Sequence, residues 1–146
     1  MPIYGLGDIP HVDDKIAEAI LDDALQKPLG LGESGSNIAY AVSDLLRQGR
    51  QVADRHVVGA VRRLEYHDPW DAGKLAERAG NFALAMDVYE RARNYSYAAR
   101  AAERAGYTRK AVRFYRMAGM TDEVERLVAD FNLNDTTEDV LPRISL

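Results

Sequence analysis

The sequence contains no cysteine, which excludes disulfide frameworks, thiolate zinc sites and cysteine nucleophiles. It has only three histidines, so a histidine-rich metal centre is not expected. No apolar run approaches the ~20 residues that a membrane-spanning helix needs, and the first residues lack the basic and apolar regions of a signal peptide. We therefore expect a cytoplasmic protein with no cofactor, no metal and no membrane contact.

The composition is that of a globular chain. Hydrophobic residues make up 47% of the 146 residues and charged residues 29%, which is too apolar for a disordered protein. This length suits one ordinary domain or a short repeat array. No segment shows the alternation of a strand, so the sequence predicts an all-α protein.

An internal repeat occupies the second half of the chain. The text AERAG occurs at Ala76–Gly80 and again at Ala102–Gly106, and division from Leu75 into units of 13 residues aligns four copies. The fifth place is alanine in all four units, the sixth is glycine in three, and the eleventh is Ala85, Ala98, Ala111 or Val124. Glycine just after a helix adopts the left-handed conformation that ends it. The repeat therefore predicts a row of short helices.

The second unit departs from the pattern, because Arg93 stands at its glycine place. We expect the neighbouring Asn94 to take the left-handed conformation there, since asparagine tolerates it better than most residues. Thr108 and Thr121 are predicted to cap the helices that follow them.

The segments AERAGNFALAMDVYERA and AERAGYTRKAVRFYRMAG resemble the helical hairpins of tetratricopeptide-like solenoids, and more closely the short hairpins of clathrin- and coatomer-type proteins. The resemblance covers Leu75 to about Phe131, with a period that differs from the tetratricopeptide norm of ~34 residues. It implies a right-handed α-α solenoid (TPR-like) of short antiparallel helices, about eight in all. It also implies a non-catalytic scaffold for protein binding.

The first half predicts three helices, with Ser36 as the N-cap of the second: residues 13–27, about 37–48 and about 51–66. Pro69 ends this set, and Asp68 before it favours an extended backbone. We predict an N-terminal helical cap at 1–68, helical-hairpin repeats at 69–131 and a C-terminal tail at 132–146. The tail is expected to dock on the last hairpin or on another protein.

Candidate catalytic and ligand motifs are weak. Residues 30–35 match G-x-G-x-x-G, but a helix and Pro28 precede them where the dinucleotide fingerprint needs a strand. His11, His56 and His67 are interpreted as ordinary surface or capping residues. The sequence has no H-E-x-x-H, G-x-S-x-G or P-loop motif. We expect no enzymatic activity.

The strongest functional signal is a basic, tyrosine-containing stretch. Between Arg91 and Arg116 the chain has eight basic side chains and one acidic residue, Glu103. Arg109, Arg113 and Arg116 fall on one helix face, whereas Tyr89 and Tyr115 are expected in the core. The predicted partner-binding residues are Arg93, Arg100, Arg104, Arg109, Arg113, Arg116, Tyr97 and Tyr107.

Three interpretations of this stretch remain open. Arginine binds carboxylates with two parallel hydrogen bonds, which favours a protein partner with an acidic segment. Basic and aromatic side chains together also suit single-stranded RNA, although the isoelectric point of about 5.4 argues against it. The stretch would otherwise be a solvated helix surface without a partner. A homodimer is a further alternative if the terminal hairpin is left uncapped.

Overall fold

The computed structural model describes residues 4–27 and 35–133. These residues form helices and turns without strands, which confirms the all-α prediction. The elements are a 3-10 helix Leu6–His11, α1 Asp14–Gln26, α2 Gly35–Arg47, α3 Asp54–Glu65, α4 Pro69–Arg78, α5 Phe82–Arg91, α6 Tyr95–Ala105, α7 Thr108–Met117 and α8 Thr121–Asp130. No helix of the described ranges combines the length and apolarity that crossing a bilayer requires.

The chain divides into two compact units, Met1–Gly80 and Asn81–Leu146. In the first unit, α3 packs against α1, α2 and α4, and the 3-10 helix packs against α1 and α2. In the second unit, α6 packs against both α5 and α7, and α7 packs against α8. Consecutive helices thus pack on their neighbours, as in a solenoid. The predicted boundary after residue 68 falls one helix before this division.

The turns of the second half repeat with the period read from the sequence. Each has a residue with positive φ, and in the four turns from Arg93 onward the next amide donates to a carbonyl five residues earlier, as in Asn94 to Tyr89 (2.8 Å) and Tyr107 to Ala102 (2.8 Å). This is the bonding of a Schellman motif. The positive-φ residues are 13 apart: Gly80 (79°), Arg93 (62°), Gly106 (86°), Gly119 (75°) and Asn132 (51°).

Two details of the turns differ from expectation. Arg93 itself adopts the left-handed conformation, while Asn94 is the N-cap at φ −90°, so the prediction for Asn94 was wrong. The repeated turn geometry fixes the sixth place as left-handed whatever residue occupies it.

The threonine caps were also wrong. Thr108 and Thr121 are the first helical residues of α7 and α8, and the N-caps before them, Tyr107 and Met120, accept no side-chain hydrogen bond. Similarly, α2 begins at Gly35, so Ser36 lies within the helix. In each case the helix begins one residue or more earlier than the hydroxyl residue suggested.

We expect Arg93→Gly to raise the free energy of unfolding by about 1 kcal/mol, because a non-glycine residue in the left-handed conformation costs roughly 1–2 kcal/mol and glycine's extra unfolded-state freedom cancels part of the gain. Gly106→Ala, at the equivalent place, is expected to lower it by about 1 kcal/mol. Urea unfolding followed by circular dichroism measures both. A lower midpoint for Arg93→Gly would show that the arginine side chain stabilises the turn by more than the strain costs.

The core of the second unit uses small residues where helices approach. Ala85, Ala98 and Ala111, at the eleventh place of their units, have no exposed surface, and Val124 is buried at the same place. Tyr89 and Tyr115 are buried, as predicted. The alanines let backbones come close, and larger side chains fill the remaining space.

Candidate partner-binding surface

Helix α7 presents a continuous row of basic side chains. Its sequence, TRKAVRFYRM, has four basic residues and no acidic one. Arg109, Lys110 and Arg116 are exposed, and the side chain of Arg113 is 29% exposed. We call Arg109, Arg113 and Arg116 the α7 column. The helical rise separates their Cα atoms by about 6 Å and 4.5 Å along the axis. The sequence prediction that these three share one face is thus met by their placement on a single helix.

Apolar side chains border the α7 column at both ends. Tyr107, the N-cap of α7, is 45% exposed, and Lys110 Nζ lies 5.4 Å from the centre of its ring. Met117, the last residue of the helix, is 44% exposed. Exposed aromatic and methionine side chains beside arginines are typical of binding surfaces.

The other predicted partner-binding arginines lie outside α7. On α6, the guanidinium of Arg100 lies 5.4 Å from the ring centre of Tyr97, and that of Arg104 lies 4.4 Å from the ring centre of Phe82 at the start of α5. Tyr97 also packs against the buried Tyr89, with 5.5 Å between ring centres. Arg93 is exposed in the turn between α5 and α6. The structure therefore groups three of the eight residues in the α7 column and pairs Arg100 with Tyr97.

An acidic row on α5 lies beside this column. The positions 26 residues before Arg109, Arg113 and Arg116 are Ala83, Asp87 and Glu90, and we call these three residues the α5 column. Glu90 Oε2 lies 4.0 Å from Arg113 Nη2, which places the Glu90 end of the α5 column beside the middle of the α7 column.

The acidic residues of α5 were not predicted as part of this surface, because they precede Arg91, where the basic stretch begins. The 26-residue offset of the repeat was the signal that would have revealed it, since it aligns Asp87 with Arg113 and Glu90 with Arg116. Asp87 in addition pairs with Arg91 one turn later in α5, at 3.2 Å.

Glu103, the acidic residue within the basic stretch, is engaged elsewhere. It accepts a hydrogen bond from the Tyr115 hydroxyl and pairs with Arg126 Nη2 of α8 at 2.9 Å. Burial, and then the bond to Glu103, raises the pKa of Tyr115 well above its usual value, so its hydroxyl stays a donor. These contacts join α6, α7 and α8 away from the α7 column.

The first unit contains a contact between the buried His56 and the partly exposed Asp22 that the sequence did not predict. His56 is 1% exposed, and its Nε2 lies 2.6 Å from Asp22 Oδ1. The Arg55 guanidinium, and next the His56 ring, lower the pKa of Asp22 to about 2. The interpretation of His56 as a surface or capping residue was therefore wrong. Its place four residues before the buried Ala60 was the available signal.

A cleft of about 290 Å³ adjoins His56, and Asp14, Glu18 and Gln51 are the other polar residues that line it. The part of the chain that the structure describes holds no group of three His, Cys, Asp or Glu side chains placed for a metal ion. The contact between His56 and Asp22 fixes α3 against α1.

Two further sequence predictions fall outside the description. The G-x-G-x-x-G segment lies at 30–35, of which residues 30–34 are outside the described residues. The C-terminal tail lies outside them from residue 134 onward.

Comparison with known proteins adds no relative to this picture. No family model matches the chain, no curated protein matches its sequence, and no solved structure matches its fold.

Proposed function

We propose that this chain is a non-catalytic protein-interaction scaffold that binds an acidic segment of a partner protein through the α7 column. The observation that carries the proposal is the charge of α7, with four basic side chains in ten residues and no acidic one. Guanidinium groups bind carboxylates in bidentate fashion, and an exposed field of one sign attracts partners of the other.

The proposed architecture is a helical-hairpin array of the tetratricopeptide-like or clathrin–coatomer type. The recurrence of one turn geometry every 13 residues supports it, as does the packing of each helix in the second unit on the next. In such arrays, repeats carry binding residues on a surface while alanines hold the helices together. The cytoplasmic location expected from the sequence stays a prediction.

Single-stranded RNA is the second candidate partner. The exposed Tyr107 beside Lys110, and Arg100 over Tyr97, combine rings with positive charge as RNA-binding surfaces do. The acidic α5 column next to the α7 column weakens this candidate, because the phosphate backbone binds best to an extended positive surface. The isoelectric point of about 5.4 points the same way.

Reversal of the α7 column tests the proposed function. We expect the triple variant Arg109→Glu, Arg113→Glu, Arg116→Glu to lower affinity for the partner by more than about 100-fold, because like charges at an interface cost several kcal/mol. The side chains are exposed or half-buried, so helicity by circular dichroism should be unchanged. Pull-down from native lysate, followed by a titration of the captured protein, measures the loss.

The matched control reverses three basic residues of the first unit, Lys15, Lys27 and Arg62, and produces the same change in net charge. It should retain the partner. Equal capture by the wild type and the α7 triple variant would remove this surface from consideration. Retention on immobilised single-stranded RNA, with a steep fall as salt rises, would favour the second candidate.

A further inference from the structure

We infer that Asp87 and Glu90 of the α5 column determine specificity, restricting the partner to a single amphipathic helix with one row of carboxylates. The inference rests on the proposed function and names the partner class for the same surface. It follows from the approach of Glu90 on α5 to Arg113 on α7, which places a negative side chain beside the middle residue of the α7 column.

The basic surface is narrow on the side that faces α5. Glu90 Oε2 lies 4.0 Å from Arg113 Nη2, so negative charge begins directly beside the α7 column, at its middle residue. The side chains of Asp87 and Glu90 are 40% and 45% exposed, and at i and i+3 they lie on the same face of α5. The Debye length is about 8 Å at physiological salt, so the Glu90 carboxylate, 4.0 Å from Arg113, acts on ligand atoms above the α7 column, and Asp87 extends the negative charge along α5.

The spacing of the basic residues along the α7 column matches that of side chains on a helix. Three basic residues at i, i+4 and i+7 span about 10.5 Å along the helix axis. A partner helix with carboxylates at i, i+4 and i+7 has the same spacing. Three residues on one side of an extended strand span roughly 13 Å instead. The register therefore fits a helix better than a strand.

The α5 column also limits the charge on one flank of that partner helix, the side that lies over α5. The flank above Asp87 and Glu90 must be neutral or basic, because a carboxylate there would face like charge. Ala83 leaves space for a side chain at one end of the α5 column. A flexible polyanion lacks such a flank, and its affinity depends on the number of phosphates that the surface neutralises.

The test compares three probes on the full chain. The first is a 16-residue alanine-based peptide with glutamates at i, i+4 and i+7 and lysines on one flank. The second is a peptide of the same composition with its charges scrambled, and the third is a 12-nucleotide oligo(U). We expect the wild type to bind the first peptide at least about tenfold more tightly than either other probe.

The isosteric double variant Asp87→Asn, Glu90→Gln should lose most of this preference. We expect its affinity for oligo(U) and for the scrambled peptide to rise about fivefold, as two repelling charges are removed. Affinity for the patterned peptide should change less than twofold, because the attraction that its lysines lose offsets the repulsion that its glutamates no longer meet. The control Asp122→Asn, Glu125→Gln removes the same net charge from exposed sites on α8 and should leave all three affinities near those of the wild type.

The outcomes separate the two hypotheses. If the wild type binds acidic peptides but the α5 double variant behaves like the α8 control, the specificity inference is overturned and the proposed function stands. Equal binding of the patterned and scrambled peptides by the wild type also overturns the inference. Binding of oligo(U) at least as tightly as the patterned peptide overturns it in favour of RNA. If the wild type binds none of the probes, the proposed function itself fails.

Discussion

Replacing Phe114 with alanine is expected to lower the free energy of unfolding by about 3–5 kcal/mol, the range for truncating a buried aromatic side chain. Phe114 has no exposed surface, and its ring stacks on that of Tyr95 from α6 with 6.3 Å between centres. Its removal leaves a cavity beside Tyr95, because the buried alanines of α6 and α7 are too small to fill that space. Because a domain has only about 5–15 kcal/mol of stability in total, the loss should be conspicuous.

Phe131→Ala is the matched control for this substitution. Phe131 is 56% exposed just after α8, so its truncation should change the stability by about 0.5 kcal/mol or less. Urea unfolding of both variants, with circular dichroism as the probe, gives the comparison. A loss below 1 kcal/mol for Phe114→Ala would contradict the packing of α6 against α7 described above.

The repeat was predictable from sequence because its turns use residues with a strong backbone preference. Gly80, Gly106 and Gly119 mark the turns by themselves, and the buried alanines repeat in phase with them. Arg93 shows where such reasoning stops. Local preference pointed to Asn94, but the packing of flanking helices fixed the register, and the register placed an arginine in the left-handed conformation.

The candidate surface was predictable in part. The α7 column follows from the spacing of Arg109, Arg113 and Arg116, which is local information. Its acidic neighbour, Glu90, lies on a different helix, α5. The 26-residue offset of the repeat is the sequence feature that connects Glu90 with this surface. The number of basic residues along the chain therefore overestimates the width of the basic surface, because Glu90 of α5 places a negative charge beside it.

His56 illustrates a different limit. A polar residue on an apolar helix face has the same sequence signature whether it is exposed at the edge or buried with a partner. The partner, Asp22, lies 34 residues earlier on α1, where it is one of two consecutive aspartates. Nothing local separates Asp22 from the adjacent Asp23.

Asp22→Ala is expected to destabilise the first unit, because it leaves His56 Nε2 buried without its partner. A buried polar group left unsatisfied costs about 1–3 kcal/mol. Asp22 also binds the Arg55 guanidinium, with 3.1 Å between Oδ1 and Nε. Urea unfolding at pH 7 measures the loss of stability.

Asp23→Ala, at the adjacent position, provides the control. The Asp23 side chain is 74% exposed, and among the ion pairs of the described residues it contacts only Lys27, at 3.7 Å. The acid dependence gives a second, independent readout. The pKa of Asp22 is lowered from 3.8 to about 2, so the stabilisation is complete above pH 4 and disappears as the pH falls towards 2. The difference in the free energy of unfolding between the wild type and Asp22→Ala should therefore decrease between pH 4 and pH 2. A constant difference would show that the charge of the carboxylate does not contribute to the packing of α3 against α1.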